Sequence, residues 1–467
     1  MGYGKDSGGM GIEKLIEELR RQDDSFMWER KDRGMLKGIQ EGYLRQERWK
    51  LVKLVNHIFL EMDLEEKRER VSYFPPKILV EHTNLCNAQC IMCSHFYTDN
   101  YGRGFIEEDV IRKLEGILPY VDKVLLHGIG EPFLHPRIQE YIGLYRAYGA
   151  EVSCNTNMSV MDEELARCIR DSFQDIVISC DSPRKETFEG IRRKVPYEGF
   201  CENVWLLRRI CPDLHIRMNV VAMRQNLKEL PEIIPFAEKL GVDSVAIMDL
   251  TAQKLMGNEW DEIRHYPKTA RYYLEKVQEA AAKSRVKLVS LPQHVFHCDS
   301  SITMEEEQAQ MEQYPLFPDA RVQWQLQETY KKLHMVKPLI KASVDNVGEA
   351  GRTGCEGICN NFAETPFLSP YGELFACCID GVHVYGNLKE ANSFGDIWNG
   401  EAYQAVRRNF YRGKLPKYCN ACSFLKGDAM SRLKLTSIDE SFYENEFSKL
   451  LYSLAEQAKE MGQGQIG

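Results

Sequence analysis

No stretch of the 467-residue sequence approaches the roughly 20 uninterrupted apolar residues of a membrane-spanning helix. A helical membrane protein is therefore not expected. The opening MGYGKDSGG lacks an apolar core, and MGYG is not followed by the Ser or Thr of a myristoylation signal. Neither export nor lipid anchoring is expected, and a cytoplasmic location is. Positive charge is not in excess: 60 Lys and Arg against 69 Asp and Glu leave a net charge of −9. That balance argues against a general nucleic-acid surface, and it is compatible with a cationic, amine-bearing substrate.

What the chain does have is cysteine, 15 of them in all. A secreted disulfide scaffold is excluded by the length and by the missing export signal, which leaves metal or catalytic use. Cys154, Cys168, Cys180, Cys201, Cys211 and Cys298 are scattered through apolar patterns and read as small buried hydrophobes. The other nine gather in two places: Cys86, Cys90 and Cys93 near the start, and Cys355, Cys359, Cys377, Cys378, Cys419 and Cys422 near the end.

Between these groups the chain alternates. Residues 1–75 carry Glu, Arg and Lys at helical spacing, as in IEKLIEELRRQ, and predict a helical N-terminal extension that FPPK ends. Over 76–250, six short apolar runs predict buried parallel strands: KILVEH, DKVLLHG, AEVSCN, DIVISC, HIRMNVV and DSVAIMD. Amphipathic helical stretches separate them, with Pro136 suited to a first helical turn and Gly149 and Gly241 to helix ends. Six βα repeats imply an α/β fold with a parallel sheet, open or curled into a partial barrel, whose ligands bind beyond the strands' carboxyl ends. Residues 251–353 read as a helical and loop insertion, a possible lid, with a helix near 268–284 and a short strand at 286–291. Residues 354–430 form a cysteine-rich module, and 431–467 a helical tail.

The first strand runs straight into EHTNLCNAQCIMCSH, where three thiols follow C-x3-C-x2-C spacing. Thiolates so spaced can share one soft metal centre. A structural zinc site needs four protein ligands, so zinc would have to borrow His82 or His95. A four-iron cluster on three cysteines instead keeps one iron open. The stretch resembles the signature of the radical S-adenosylmethionine (SAM) superfamily, whose core is a partial (β/α)6 barrel. Other elements at predicted strand ends fit the same resemblance. HGIGEP resembles the family's Gly-Gly-Glu element, with Gly128, Gly130 and Glu131 toward the SAM amino group and Ile129 displacing one glycine. NTN supplies Asn155 and Asn157. SCDSP supplies Ser179 and Asp181 toward the ribose, and Arg192 follows in FEGIRR. Met92 stands where the family often has an aromatic residue against adenine.

The resemblance implies that Cys86, Cys90 and Cys93 hold a [4Fe-4S] cluster whose open iron chelates SAM. Reductive cleavage would then yield a 5′-deoxyadenosyl radical that abstracts a substrate hydrogen, with a flavodoxin or ferredoxin-type protein as electron donor. GCEGICNNF, SPYGELFACCIDG and YCNACSF resemble the SPASM/twitch extension of the same enzymes. No cysteine follows Cys422, which favours one auxiliary [4Fe-4S] cluster on Cys359, Cys377, Cys419 and Cys422, with Cys355 and Cys378 as spares. A zinc ribbon is the plainer alternative. Asp249, at the end of the sixth predicted strand, is the candidate proton acceptor. The helical N-terminus favours a small-molecule substrate, such as a sugar, aminocyclitol or natural-product precursor, over a leader-bearing peptide. A peptide maturase and a non-catalytic iron–sulfur or zinc protein are the rivals.

Overall fold

A computed structural model describes residues 33–93, 95, 104–252, 258–298, 300–317, 319–320, 340–342, 359–378, 383–414 and 419. All six predicted strands form: β1 (Lys77–Val80), β3 (Lys123–Leu126), β4 (Glu151–Thr156), β5 (Asp175–Ser179), β7 (His215–Ala222) and β8 (Ser244–Asp249). Two-residue strands β2 (Gln89–Cys90) and β6 (Arg192–Arg193) pair with each other outside the main sheet. The strand expected at 286–291 is β9 (Lys287–Ser290), and it joins the sheet parallel to β8 as a seventh barrel strand.

Helices cross over between successive strands. α1 (Arg33–Arg45) and α2 (Trp49–Glu65) precede the sheet. The crossovers are α3 (Glu108–Glu115), α4 (Ile138–Ala147), α5 (Glu163–Ser172), α6 (Lys185–Ile191) with α7 (Tyr197–Ile210), α8 (Leu230–Leu240) and α9 (Pro267–Ala281). α10 (Met304–Glu312) follows β9. Gly241, at φ 76°, ends α8 in the left-handed conformation that a Cβ disfavours. Pro136 lies ahead of its helix and not in it: Arg137 is the N-cap and α4 starts at Ile138.

Alternation along β7 defines the two faces of the sheet. Ile216, Met218, Val220 and Ala222 are fully buried on the helix side, whereas His215 and Arg217 are exposed on the other. The inner face of β7 thus carries polar residues into the lumen. α2 packs beside the end at which β3 and β4 begin, burying Leu51, Leu54, Val55 and Phe59. Lys53 donates to the Gly149 carbonyl (2.6 Å) and His57 pairs with Asp122 (2.6 Å), both partners lying just before strands. The opposite end stays available for the site.

The cysteine-rich module is continuous with the barrel sheet. β11 (Phe367–Leu368) pairs parallel with β1, and antiparallel β12 (Glu373–Phe375) and β14 (Gly386–Asn387) extend it. The main sheet therefore has 10 strands, ordered β14-β12-β11-β1-β3-β4-β5-β7-β8-β9. A separate pair joins β10 (Ile340–Lys341) to β13 (His383–Val384). Gly372, at φ 83°, turns the β11–β12 hairpin, and a Cβ there would stand 2.8 Å from the Asn387 side chain. α11 (Asn360–Glu364), α12 (Phe394–Trp398) and α13 (Glu401–Tyr411) pack behind it. Fully buried Trp398 donates to the Tyr73 carbonyl (3.0 Å) and carries the Arg407 guanidinium 4.6 Å from its ring centre. The predicted tail over 431–467 lies outside the described residues. Among the described residues no helix is long and apolar enough to cross a membrane.

Candidate functional site

The cysteine loop leaves β1 at the barrel mouth and is pinned on both sides. β2 pairs Cys90 with Arg192 of β6, and the Ile91 amide donates to the Ile191 carbonyl (2.9 Å). On the other side the Glu131 amide donates to the Leu85 carbonyl (2.8 Å). Gly130 lies so close that a Cβ would meet the Thr83 carbonyl at 2.1 Å. Between the two thiols flanking it, Met92 packs with Val221 and Phe317 against a small apolar cluster of Ile91, Ile191, Met223 and Leu250. The loop thus rests on the ends of β7 and β8.

Cys86, Cys90 and Cys93 interact electrostatically with one another, and burial raises all three thiols, Cys86 to about 11 and Cys93 to about 12. Such thiols hold their protons until a metal displaces them. Each flanking polar group faces a particular sulfur. Arg192 Nη1 lies 3.9 Å from Cys90 Sγ, and Asn157 Nδ2 lies 3.8 Å from Cys86 Sγ. Arg192 is buried and ion-paired through Nε to Asp181 (2.8 Å), which also accepts the Val221 amide (2.8 Å). Asp181, fully buried, therefore orients the cation beside Cys90.

Glu131 is fully buried too. Its carboxylate accepts the Thr156 hydroxyl and the Asn157 amide, both at 2.8 Å, tying the β3 loop to the end of β4. Burial raises it to about 7. Gly128 has a neighbour the sequence did not flag, Glu81, whose carboxylate a Cβ would meet at 2.3 Å. Glu81 accepts the Ile129 and Gly130 amides (2.5 and 3.1 Å), and burial raises it from 4.5 to about 7. A raised carboxyl contributes stability that is complete below its unfolded value and is lost as pH rises through the folded one. Between pH 5 and 8, wild type should lose up to about 3 kcal/mol relative to Glu81→Gln, read by denaturant melts at both pH values. Parallel pH dependence of the two proteins would refute it.

The donor set, three thiols gathered on one loop, fits an iron–sulfur cluster. His82 Nε2 is hydrogen-bonded to the Tyr145 hydroxyl (2.6 Å) and His95 Nε2 to the Asn84 carbonyl (2.5 Å).

Of the remaining candidates, Asn155 and Ser179 lie on the lumen face of β4 and β5. Asp249 ends the sixth strand as expected, but the register pairs it with Ala222, on the helix side, and puts Met248 in the lumen. Its carboxylate is paired with His294 (3.2 Å). In the second module Cys359 caps α11, Cys377 follows β12, and Cys419 is buried. Cys378 is exposed and lines a cavity of about 200 Å³ with Glu81, His127 and Tyr371. Cys355 and Cys422 lie outside the described residues.

A parallel barrel with a buried carboxylate and three thiols at its mouth is joined edge to edge to a cysteine-bearing hairpin module, an α/β architecture built to hold a cofactor at the strands' carboxyl ends. The comparisons make this particular. Residues 80–237 match the Radical SAM superfamily and 359–423 match SPASM, an iron-sulfur cluster-binding domain. The chain therefore carries a radical SAM domain, a domain type that binds a [4Fe-4S] cluster and SAM, and a SPASM domain, a type that binds auxiliary iron–sulfur clusters. It is 25% identical over 190 residues to the tungsten-containing aldehyde ferredoxin oxidoreductase cofactor-modifying protein of Pyrococcus furiosus, across 37% of this chain and 51% of that one. It is 23% identical to a probable GTP 3′,8-cyclase of Saccharolobus islandicus, across 42% of this chain and 63% of that one. The matched region thus spans about half the length of the first of these relatives. The fold is also that of Streptococcus suis SuiB bound to its precursor peptide SuiA, at TM-score 0.51 and 14% identity over 81% and 78% of the two chains.

Proposed function

We infer that this enzyme is an oxidoreductase that removes a hydrogen atom from a small molecule held between the cysteine loop and the lumen, with Cys86, Cys90 and Cys93 as cluster ligands. When bound, the cluster and SAM supply a 5′-deoxyadenosyl radical. The protein's own contribution is positional. Asn157 and Arg192 set polar hydrogens against two of the ligand sulfurs, which stabilises their thiolate form. Gly128 and Gly130 let the β3 loop approach the cysteine loop, and Glu131 holds that loop to β4 from within a water-free core. Ser179 and Asn155 face the lumen as contacts for bound ligand, whereas Asp181 acts through Arg192.

The observation carrying the reading is that Cys86, Cys90 and Cys93 gather on one loop at the mouth, with Asn157 and Arg192 set against two of their sulfurs. Cys359, Cys377, Cys419 and Cys422 are the ligands we assign to one auxiliary cluster, with an electron-acceptor role after hydrogen abstraction. A flavodoxin or ferredoxin-type protein is the matching external donor. The small-molecule reading draws support from an open lumen cavity of about 490 Å³, within the range of small-ligand pockets. SuiB, of the same fold, takes a peptide, so the substrate class is the part to test. Anaerobically reconstituted enzyme with SAM and dithionite should form 5′-deoxyadenosine, accelerated by small molecules from a metabolite extract. Acceleration only by the peptide fraction would overturn the small-molecule half, and no product at all would overturn the whole.

A further inference from the structure

Charge in the lumen is not balanced. Lys123 is paired with Asp175, which also accepts the Ser153 hydroxyl. His215 is bonded to the Ser244 hydroxyl (2.9 Å). His127 is kept neutral near pH 7 because burial lowers it to about 4. Arg217, third of the eight residues of β7, projects into the same cavity of about 490 Å³. Among the described residues no carboxylate lies within ion-pair distance of it. Among the described residues the wall therefore presents one unpaired cation, with no hydrogen-bond partner for its fork.

We propose that Arg217 is the binding group for an oxyanion, a carboxylate or a phosphate, at the far end of the substrate. This rests on the reading that substrate occupies the lumen. It reverses the expectation, drawn from net charge, of an amine-bearing substrate. Net charge sums the whole surface, but binding is decided by the groups inside the cavity, and the unmatched one is positive. A planar guanidinium recognises carboxylate and phosphate through two parallel hydrogen bonds. Position adds a length. Arg217 lies five residues before Ala222, where β7 ends at the mouth, roughly 16 Å at about 3.3 Å per residue. The substrate is then an elongated acid, its reacting carbon near the cysteine loop and its anion deep in the barrel.

The test uses reconstituted, SAM-loaded enzyme titrated by calorimetry with inorganic phosphate and, separately, with succinate. At least one anion should bind. Arg217→Gln should weaken that binding by about tenfold or more, and Arg217→Lys, which keeps the charge, should lose less. Preference for phosphate assigns a phosphorylated substrate, and preference for succinate a carboxylic one. In wild type, phenylglyoxal should label Arg217, and the bound anion should protect it, as read by peptide mass spectrometry. Binding of neither anion, or equal binding by Arg217→Gln, or labelling without protection, overturns the proposal. Failure of wild type to bind SAM would sink the functional reading instead, because the anion titration does not depend on SAM cleavage.

Discussion

Cys90→Ala should abolish SAM cleavage and remove the mouth cluster's share of the iron. Cys90 is the most enclosed of the three thiols, in a strand pair with Arg192 and within 3.9 Å of its guanidinium. Two thiolates do not retain a four-iron cluster that already has one iron without a protein ligand. The rate of 5′-deoxyadenosine formation should therefore fall by more than about a hundredfold, beyond the loss expected from removing an outer-shell partner. Iron and sulfide analysis after anaerobic reconstitution is the direct measurement. Cys180→Ala provides the control. That thiol is also fully buried but donates to the Ser182 carbonyl (3.3 Å), so its loss should leave the iron content unchanged. Full iron retention by the Cys90 variant would remove Cys90 from the ligand set.

Gly130→Ala is expected to be almost as damaging, through sterics alone. The added Cβ would meet the Thr83 carbonyl at 2.1 Å, and the Asn84 Cα and the Leu85 carbonyl at 2.8 Å, all of them backbone atoms. Backbone cannot step aside as a side-chain end can, so the cysteine loop must lift off the β3 loop. The hydrogen bond from the Glu131 amide to Leu85 is lost with it. Overpacking of this kind costs about 3 kcal/mol, and here the cost falls on the loop that must hold the cluster. Gly128→Ala makes the useful contrast. Its three nearest contacts are all with the Glu81 side chain, at 2.3 to 2.6 Å. That side chain can shift by giving up the Ile129 and Gly130 amides, so about 2 kcal/mol is expected. The comparison is read from denaturation midpoints and from iron retained after gel filtration. If the two variants behave alike, the tight packing of the β3 loop on the cysteine loop is not what holds the site together.

The barrel was legible because a parallel strand buried on its helix side must carry apolar residues, and six such runs alternate with amphipathic helices. The cysteine spacing was legible because three ligands on one loop have to be close in sequence. HIRMNVV was only half legible. It read as a buried strand, yet its alternation of polar and apolar residues already signalled a wet inner face, and Arg217 with it. Glu81 gave no signal, since its partners, the Ile129 and Gly130 amides, come from another loop. The facing of Asp249 was likewise hidden, because it depends on registration with β7 that no single segment specifies.

Local periodicity and ligand spacing, both short-range properties, were enough to read the parallel α/β core and the two cysteine groups, and the resemblance of those motifs to known domains implied the cofactors. Tertiary structure alone decided that Asp181 serves Arg192, that His82 bonds Tyr145 and His95 the Asn84 carbonyl, and that β11 joins the cysteine-rich module to β1. It also left a lone cation facing the lumen. Those outcomes depend on groups distant in sequence competing for the same few ångströms of buried space, and no local pattern encodes the winner.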